Sequence, residues 1–187
     1  MEDKYVFLDR DGVINEDGGK WTEHGYISRW EDFKFLPGVL KALKELTAAG
    51  YKIVVISNQQ GVAKGYYTEE ELNGITKKMI KAIETEGGHI ADVYYCMHLE
   101  KERCSCRKPK GGLFEIAKKK LDINKFDDNF FVGDTERDMQ AGKDIGLRTI
   151  LVLSGKSLKE DAEGWEYKPD YICEDLKEAV KVIINSR

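Results

Sequence analysis

The sequence predicts an α/β protein whose parallel sheet is doubly wound and covered by helices on both faces. Three observations carry this reading. Apolar runs rich in branched and aromatic residues alternate along the whole chain with segments whose apolar residues recur at helical spacing. Strands that alternate with helices favour a parallel sheet. Three of the apolar runs also end abruptly in polar residues, at Asp9, Ser57 and Asp134, and such sheets place their sites at the carboxyl ends of their strands.

The elements follow in order. Tyr5-Val6-Phe7-Leu8 reads as a buried strand and ends in Asp9-Arg10-Asp11-Gly12. A polar segment from Asn15 to Lys34, rich in Gly and aromatic residues, reads as loop. Pro37-Gly38 then opens a helix with Val39, Leu40, Leu43 and Leu46 on one face, and Gly50 ends it. Ile53-Val54-Val55-Ile56 is a second strand, closed by Ser57-Asn58-Gln59. Thr68 and Glu71 have capping-box spacing and start a helix through Leu72, Ile75, Met79 and Ile83 that Gly87-Gly88 terminates. Val93-Tyr94-Tyr95 is a third strand, and a helix near Leu113 to Leu121 follows. Phe130-Phe131-Val132 is a fourth, ending in Gly133-Asp134, with a short helix after Thr135 and a strand from Thr149 to Leu153. Tyr171-Ile172 closes the series, and Asp175 with Glu178 caps a C-terminal helix.

No repeat, low-complexity tract or linker interrupts this pattern, so residues 1–187 are expected to form one domain with a sizeable core. Hydrophobic content of 41% and charged content of 34% suit a soluble globular protein. A net charge of −4 argues against broad binding to nucleic acid or to an anionic membrane. No apolar run reaches membrane-spanning length. A cytoplasmic address and a monomer are the default expectations, with a small phosphorylated molecule as the partner.

Two carboxylates at the tip of a hydrophobic strand are costly unless something uses them. A turn after a core strand accounts for Asp and Gly there. So does a cation-dependent phosphoryl-transfer site, because hard cations take oxygen ligands and a carboxylate serves as a covalent nucleophile. In the second reading Asp9 attacks phosphorus, and Asp11 protonates the leaving oxygen and then activates water. Asp134 holds Mg²⁺ together with Asp9 and a backbone oxygen near Asp11. Ser57 and Lys108 neutralise the equatorial phosphoryl oxygens. Asp11 must then carry a proton at the first step, and its pKa is expected to be raised by burial or a nearby carboxylate. Each residue alone has a structural alternative, such as a helix cap for Asp134 or a solvated charge for Lys108. Asp138, one helical turn beyond Asp134, either supports the water shell of the metal or is a surface acid of the helix, and the surface acid is the expectation. The joint placement at strand ends favours the site.

Cys96, His98, Cys104 and Cys106 offer three thiols and an imidazole within one short segment. That set suits tetrahedral Zn²⁺ with no open position, hence a structural ion, ahead of a redox pair or reduced thiols. Arg107 and Lys108 follow the last ligand directly, so a metal-folded loop is expected to hold both cations against the site. Arg107 is then available for a bidentate contact to a second anionic group on the substrate.

Phe7-Leu8-Asp9-Arg10-Asp11-Gly12, Ile56-Ser57-Asn58-Gln59, Arg107-Lys108-Pro109 and Gly133-Asp134 resemble, in order, the four motifs of the haloacid dehalogenase-like phosphatases. The resemblance spans nearly the whole chain. It implies a Rossmann-like sheet without a large cap domain, Asp9 as nucleophile, Asp11 as acid/base, Ser57 and Lys108 as phosphate ligands, and Asp134 as a Mg²⁺ ligand. The Cys/His loop ahead of Arg-Lys-Pro is similar to that of two branches of the family. One acts on heptose bisphosphates, the other on histidinol phosphate. The segment Asn58 to Gly65 and the strand end Leu153-Ser154-Gly155-Lys156 resemble the heptose branch, and His24-Gly25-Tyr26 resembles its substrate loop. That branch implies loss of the 7-phosphate and contacts to the sugar phosphate from Gly25, Tyr26, Asn58, Gln59 and Arg107. The alternatives are a histidinol-phosphate phosphatase and a zinc-stabilised phosphate-binding module without turnover.

Overall fold

A computed structural model describes residues 3–19 and 21–186. Six strands, β1 (Lys4–Leu8), β2 (Tyr51–Asn58), β3 (Ile90–Cys96), β4 (Phe130–Gly133), β5 (Arg148–Val152) and β6 (Tyr171–Cys173), form one parallel sheet in the order β3-β2-β1-β4-β5-β6. The helices are α1 (Val39–Ala48), α2 (Glu69–Thr85), α3 (Gly112–Lys120), α4 (Glu136–Asp144), α5 (Lys159–Glu163) and α6 (Leu176–Asn185).

Side chains alternate along each central strand and feed two cores. Val6, Leu8, Ile53, Val55, Phe130, Val132, Ile150 and Val152 pack with α1, α2 and α6. Tyr5, Phe7, Val54, Ile56 and Phe131 pack on the other face against α3 and Ala141 of α4. Burial on both faces is what the continuous apolar runs require. The predicted capping box of α2 is formed: Thr68 accepts from the Glu71 amide while Glu71 accepts from the Thr68 amide. At α6 the Asp175 side chain accepts from the Glu178 amide, whereas Glu178 turns to the Glu174 amide instead.

The short helix α5 has no counterpart in the periodicity of the sequence. Only Ala162 of its five residues is buried, so it carries no apolar stripe to read. Among the described residues, no helix is long and apolar enough to cross a membrane.

The chain winds outward from β1 to β3 on one side, then crosses back to β4 and proceeds to β6 on the other. The β1–β4 border is therefore the switch point, where a crevice opens above the carboxyl ends of the strands. Asp9 follows β1, Ser57 lies at the end of β2 and Asp134 follows β4.

Candidate active site

Asp9 leaves β1 with its amide still bonded to the Val132 carbonyl of β4 at 2.9 Å, which fixes it at the switch point. Its carboxylate accepts from the Arg10 amide (2.7 Å) and from Lys108 Nζ (2.9 Å). The same ammonium reaches Asp138 Oδ1 at 2.7 Å and donates to the Ile56 carbonyl at 3.0 Å. Burial alone would lower the pKa of Lys108, but Asp138 and Asp9 outweigh it and hold the group above its ordinary value, hence charged. Burial is also the largest influence on Asp9 and Asp134. It raises both carboxyls, and Asp138 raises them further.

Asp9, Asp134 and Asp138 each bring a carboxylate oxygen within 4.8 Å of the others, and all three are buried. Three hard oxygen donors crowded in this way, with Lys108 as their neighbouring cation, fit a divalent ion such as Mg²⁺. Asp134 is boxed in by backbone. Gly12, in the left-handed region at φ +83°, and Gly155 both abut its carboxylate so closely that a Cβ on either would collide with it. Asp138 is not the surface acid that the sequence suggested. It sits at the third position of α4 and accepts from the Thr135 hydroxyl (2.7 Å) and amide (3.1 Å). The Thr135-x-x-Asp138 spacing, an N-terminal helix signal, marks it in the sequence.

Asp11 has a different environment. Arg10, wholly buried, donates from Nη2 to both its oxygens at 2.9 and 3.2 Å. Asn15 Nδ2 donates to Oδ1 at 2.9 Å and Gln59 Nε2 to Oδ2 at 2.7 Å. Burial would raise this carboxyl, but Arg10 and the amide donors overcome it and hold Asp11 below the ordinary carboxylate range. The expectation of a raised pKa for Asp11 is thus reversed, because nothing in the residue pattern signals that Arg10 turns back onto its neighbour. Gln59, read as a substrate contact, is likewise buried, and its amide also donates to Ser57 Oγ at 3.2 Å. The next residue, Gln60, faces the cavity.

Above these groups lies a cavity of ≈ 690 Å³ that reaches Asp9, Asp11, Ser57, Lys108 and Asp134 at its base. Gly25, Tyr26, Asn58 and Arg107 line its walls, as do Lys64, Lys156 and Arg137. Asp17 and Tyr26, near the two ends of the loop, are both tied down. Tyr26 Oη accepts from Gln60 Nε2 (2.9 Å) and Lys64 Nζ (3.1 Å), while Asp17 pairs with Lys156 at 3.0 Å. Asn58 braces the opposite wall: its side chain donates to the Lys108 carbonyl and accepts from the Lys108 amide, both at 3.1 Å.

Beside that wall, Cys96 Sγ lies 3.7 Å from Cys104 Sγ and 3.2 Å from Cys106 Sγ, and Cys106 lies 3.5 Å from Cys104. His98 Nδ1 is 3.7 Å from Cys96 Sγ and 3.2 Å from Cys106 Sγ. Tetrahedral zinc, with Zn–S near 2.3 Å and Zn–N near 2.0–2.1 Å, has donor–donor edges of about 3.5–3.8 Å. Three of the five separations fall in that range and the two at 3.2 Å are tighter, so the donors are gathered as a zinc shell requires, and no cysteine is engaged in a disulfide. Arg107 Nη1 donates to the His98 carbonyl at 3.5 Å, which couples its guanidinium to this loop.

A sheet of this order with acids at its β1–β4 switch point defines a haloacid dehalogenase-like hydrolase, and the chain belongs to that family. The family model described as HAD-hydrolase-like matches residues 105–179. Over 191 residues the chain is 38% identical to the D-glycero-beta-D-manno-heptose-1,7-bisphosphate 7-phosphatase of Haemophilus ducreyi, covering 98% of this chain and 100% of that one. The enzyme of the same name from Helicobacter pylori is 37% identical over 181 residues, covering 96% of this chain and 97% of the relative. Among solved structures, the D,D-heptose 1,7-bisphosphate phosphatase of B. bronchiseptica complexed with magnesium and phosphate superposes with a TM-score of 0.87. It is 32% identical, covering 98% of this chain and 99% of that one. The chain is a phosphatase.

Proposed function

We propose that the chain is a Mg²⁺-dependent phosphatase that removes the 7-phosphate of D-glycero-D-manno-heptose 1,7-bisphosphate through an aspartyl-phosphate on Asp9. The observation that carries this reading is the convergence of Asp9, Asp11, Ser57, Lys108 and Asp134 at the base of one cavity, in a chain similar over nearly its whole length to heptose bisphosphate phosphatases. A carboxylate oxygen of Asp9 attacks phosphorus and the bond to the sugar oxygen breaks. Asp11 gives that oxygen a proton, its protonated form being favoured by the negative charge of the arriving phosphate. It then takes a proton from the water that cleaves the acyl phosphate, regenerating Asp9. Ser57 and Lys108 hold the equatorial oxygens. Asp9 and Asp134 would hold Mg²⁺, with Asp138 adjoining, and the ion when bound neutralises charge on the carboxylates and the phosphoryl group.

The recognition half rests on Arg107. With its guanidinium fixed at the cavity wall, we infer that it grips the second phosphate. Arg107→Ala is expected to lower kcat/KM for the bisphosphate roughly ten- to a hundredfold, the value of about 1.5–3 kcal/mol for a charge-assisted contact, and to spare a monophosphate. Equal losses on both would overturn that role. A phosphate-release panel of heptose 1,7-bisphosphate anomers, histidinol phosphate and other sugar phosphates tests the substrate. Efficient histidinol phosphate turnover with the heptose compound inert would sink the proposal.

We assign a structural zinc to Cys96, His98, Cys104 and Cys106. Protein isolated under reducing conditions without added metal is expected to hold about one tightly bound zinc per chain, while its activity still depends on added Mg²⁺. Zinc-free protein of normal fold and activity would refute the site. One catalytic domain spanning residues 1–187 is supported by the single sheet, and a cytoplasmic location by four cysteines without a disulfide.

A further inference from the structure

Asp11 is held by a chain of hydrogen bonds that begins at a residue remote from the phosphoryl chemistry. Tyr67 Oη donates to Gln59 Oε1 at 2.7 Å, and the other end of that amide donates to Asp11 Oδ2 at 2.7 Å and to Ser57 Oγ at 3.2 Å. All of the linking groups are buried: Tyr67 is 4% and Gln59 2% exposed. Tyr67 itself is locked from two sides. It immediately precedes Thr68, the N-cap of α2, and its ring lies so close to Gly61 that a Cβ there would collide with it.

The polarity of the chain follows from chemistry. An ionised carboxylate only accepts, so Asp11 selects the NH₂ end of Gln59, and the carbonyl end must then face a donor. The Tyr67 hydroxyl is that donor, and burial keeps its proton on by raising its pKa. Without it the buried Gln59 carbonyl loses this partner. The amide then loses the constraint that keeps its short contact on Asp11.

We propose that Tyr67 is a positioning residue for acid catalysis, acting through Gln59 to set the orientation of the Asp11 carboxyl toward the leaving oxygen. This rests on the acid/base reading of Asp11 given above. It makes a claim that mere structural support does not. Misorienting the acid hurts substrates whose leaving group needs a proton and spares those whose leaving group does not. Because kcat/KM covers steps only through the first irreversible one, it isolates the leaving-group step from later hydrolysis of the acyl phosphate.

The test compares kcat/KM for an alkyl substrate, the sugar phosphate, with p-nitrophenyl phosphate, whose phenolate departs without help. Tyr67→Phe keeps the ring against Gly61 and is expected to lose about tenfold on the sugar phosphate, a fraction of the 10²–10⁴ that a general acid supplies, while staying within about twofold on the aryl ester. Gln59→Met, which also takes a donor from Ser57, is expected to lose on both substrates but about tenfold more on the sugar phosphate, and the double variant to lose no more than Gln59→Met alone, as for residues acting in one path. Should Tyr67→Phe fail to fold, the Gln59→Met comparison carries the test. Equal losses on both substrates, no loss on either, or additive effects in the double variant would overturn the relay. Asp11→Asn, measured in parallel, separates the two levels. If it discriminates between the substrates while Tyr67→Phe does not, only the relay falls. If it does not discriminate, the acid role of Asp11 falls and the relay with it.

Discussion

Asp9→Asn is expected to reduce phosphate release by at least roughly a thousandfold while the chain still folds. The amide has nearly the same shape but is a poor nucleophile. Its oxygen can still accept from Lys108 Nζ, which lies 2.9 Å from the native carboxylate. The stability side of this expectation comes from the crowding of Asp9, Asp134 and Asp138. Neutralising one of three buried carboxylates removes repulsion as well as an ion pair, so the melting temperature is expected to stay within a few degrees of the parent. Phosphate release from the sugar bisphosphate, with a thermal melt on the same sample, checks both parts. Near-parental turnover would rule out an aspartyl-phosphate on Asp9.

Lys108→Ala is expected to be damaging in both activity and stability. Its ammonium faces the position of the transferred phosphoryl group, so turnover of mono- and bisphosphates should fall together, unlike the selective loss at Arg107. The fold suffers because Asp9 and Asp138 both lose their buried cation. Removing one partner of a buried ion pair costs about 3–5 kcal/mol, most of it from the uncompensated charge left behind. Adding Asp9→Asn to Lys108→Ala removes one of the stranded charges and is therefore expected to recover part of the lost stability, a coupling that a double-mutant cycle measures. Denaturant midpoints of the two single variants and the double supply the cycle. A Lys108→Ala variant as stable as the parent would show that these carboxylates are not held in a low-dielectric site.

The sequence made the sheet legible because strands buried on both faces need continuous apolar runs, and Phe7, Val54 and Phe131 each fill the second core. Motif residues at strand ends converge because a doubly wound sheet has one switch point. What stayed hidden depended on where side chains turn. Arg10 reads as a spacer between two acids, yet it is wholly buried and holds Asp11. Gln59 and Gln60 are adjacent in the chain, but one points down to Asp11 and the other up to Tyr26. Asp138 is hidden for a different reason: helical spacing from Asp134 is visible, but its ion pair comes from Lys108, thirty residues earlier in the chain.

The glycines around Asp134 divide the site into a part that tolerates drift and a part that does not. Gly12 and Gly155 leave no room for a side chain, so the wall on the β4 side is closed to substitution. The mouth carries Asp17, His24 and Tyr26, whose contacts to Lys156, Tyr66 and Lys64 involve side chains rather than backbone at the floor. A lineage changing its sugar would therefore rewrite the rim and inherit the floor intact. Changes in the loop that carries Asp17, His24 and Tyr26 would reshape the mouth and leave the catalytic carboxylates in place.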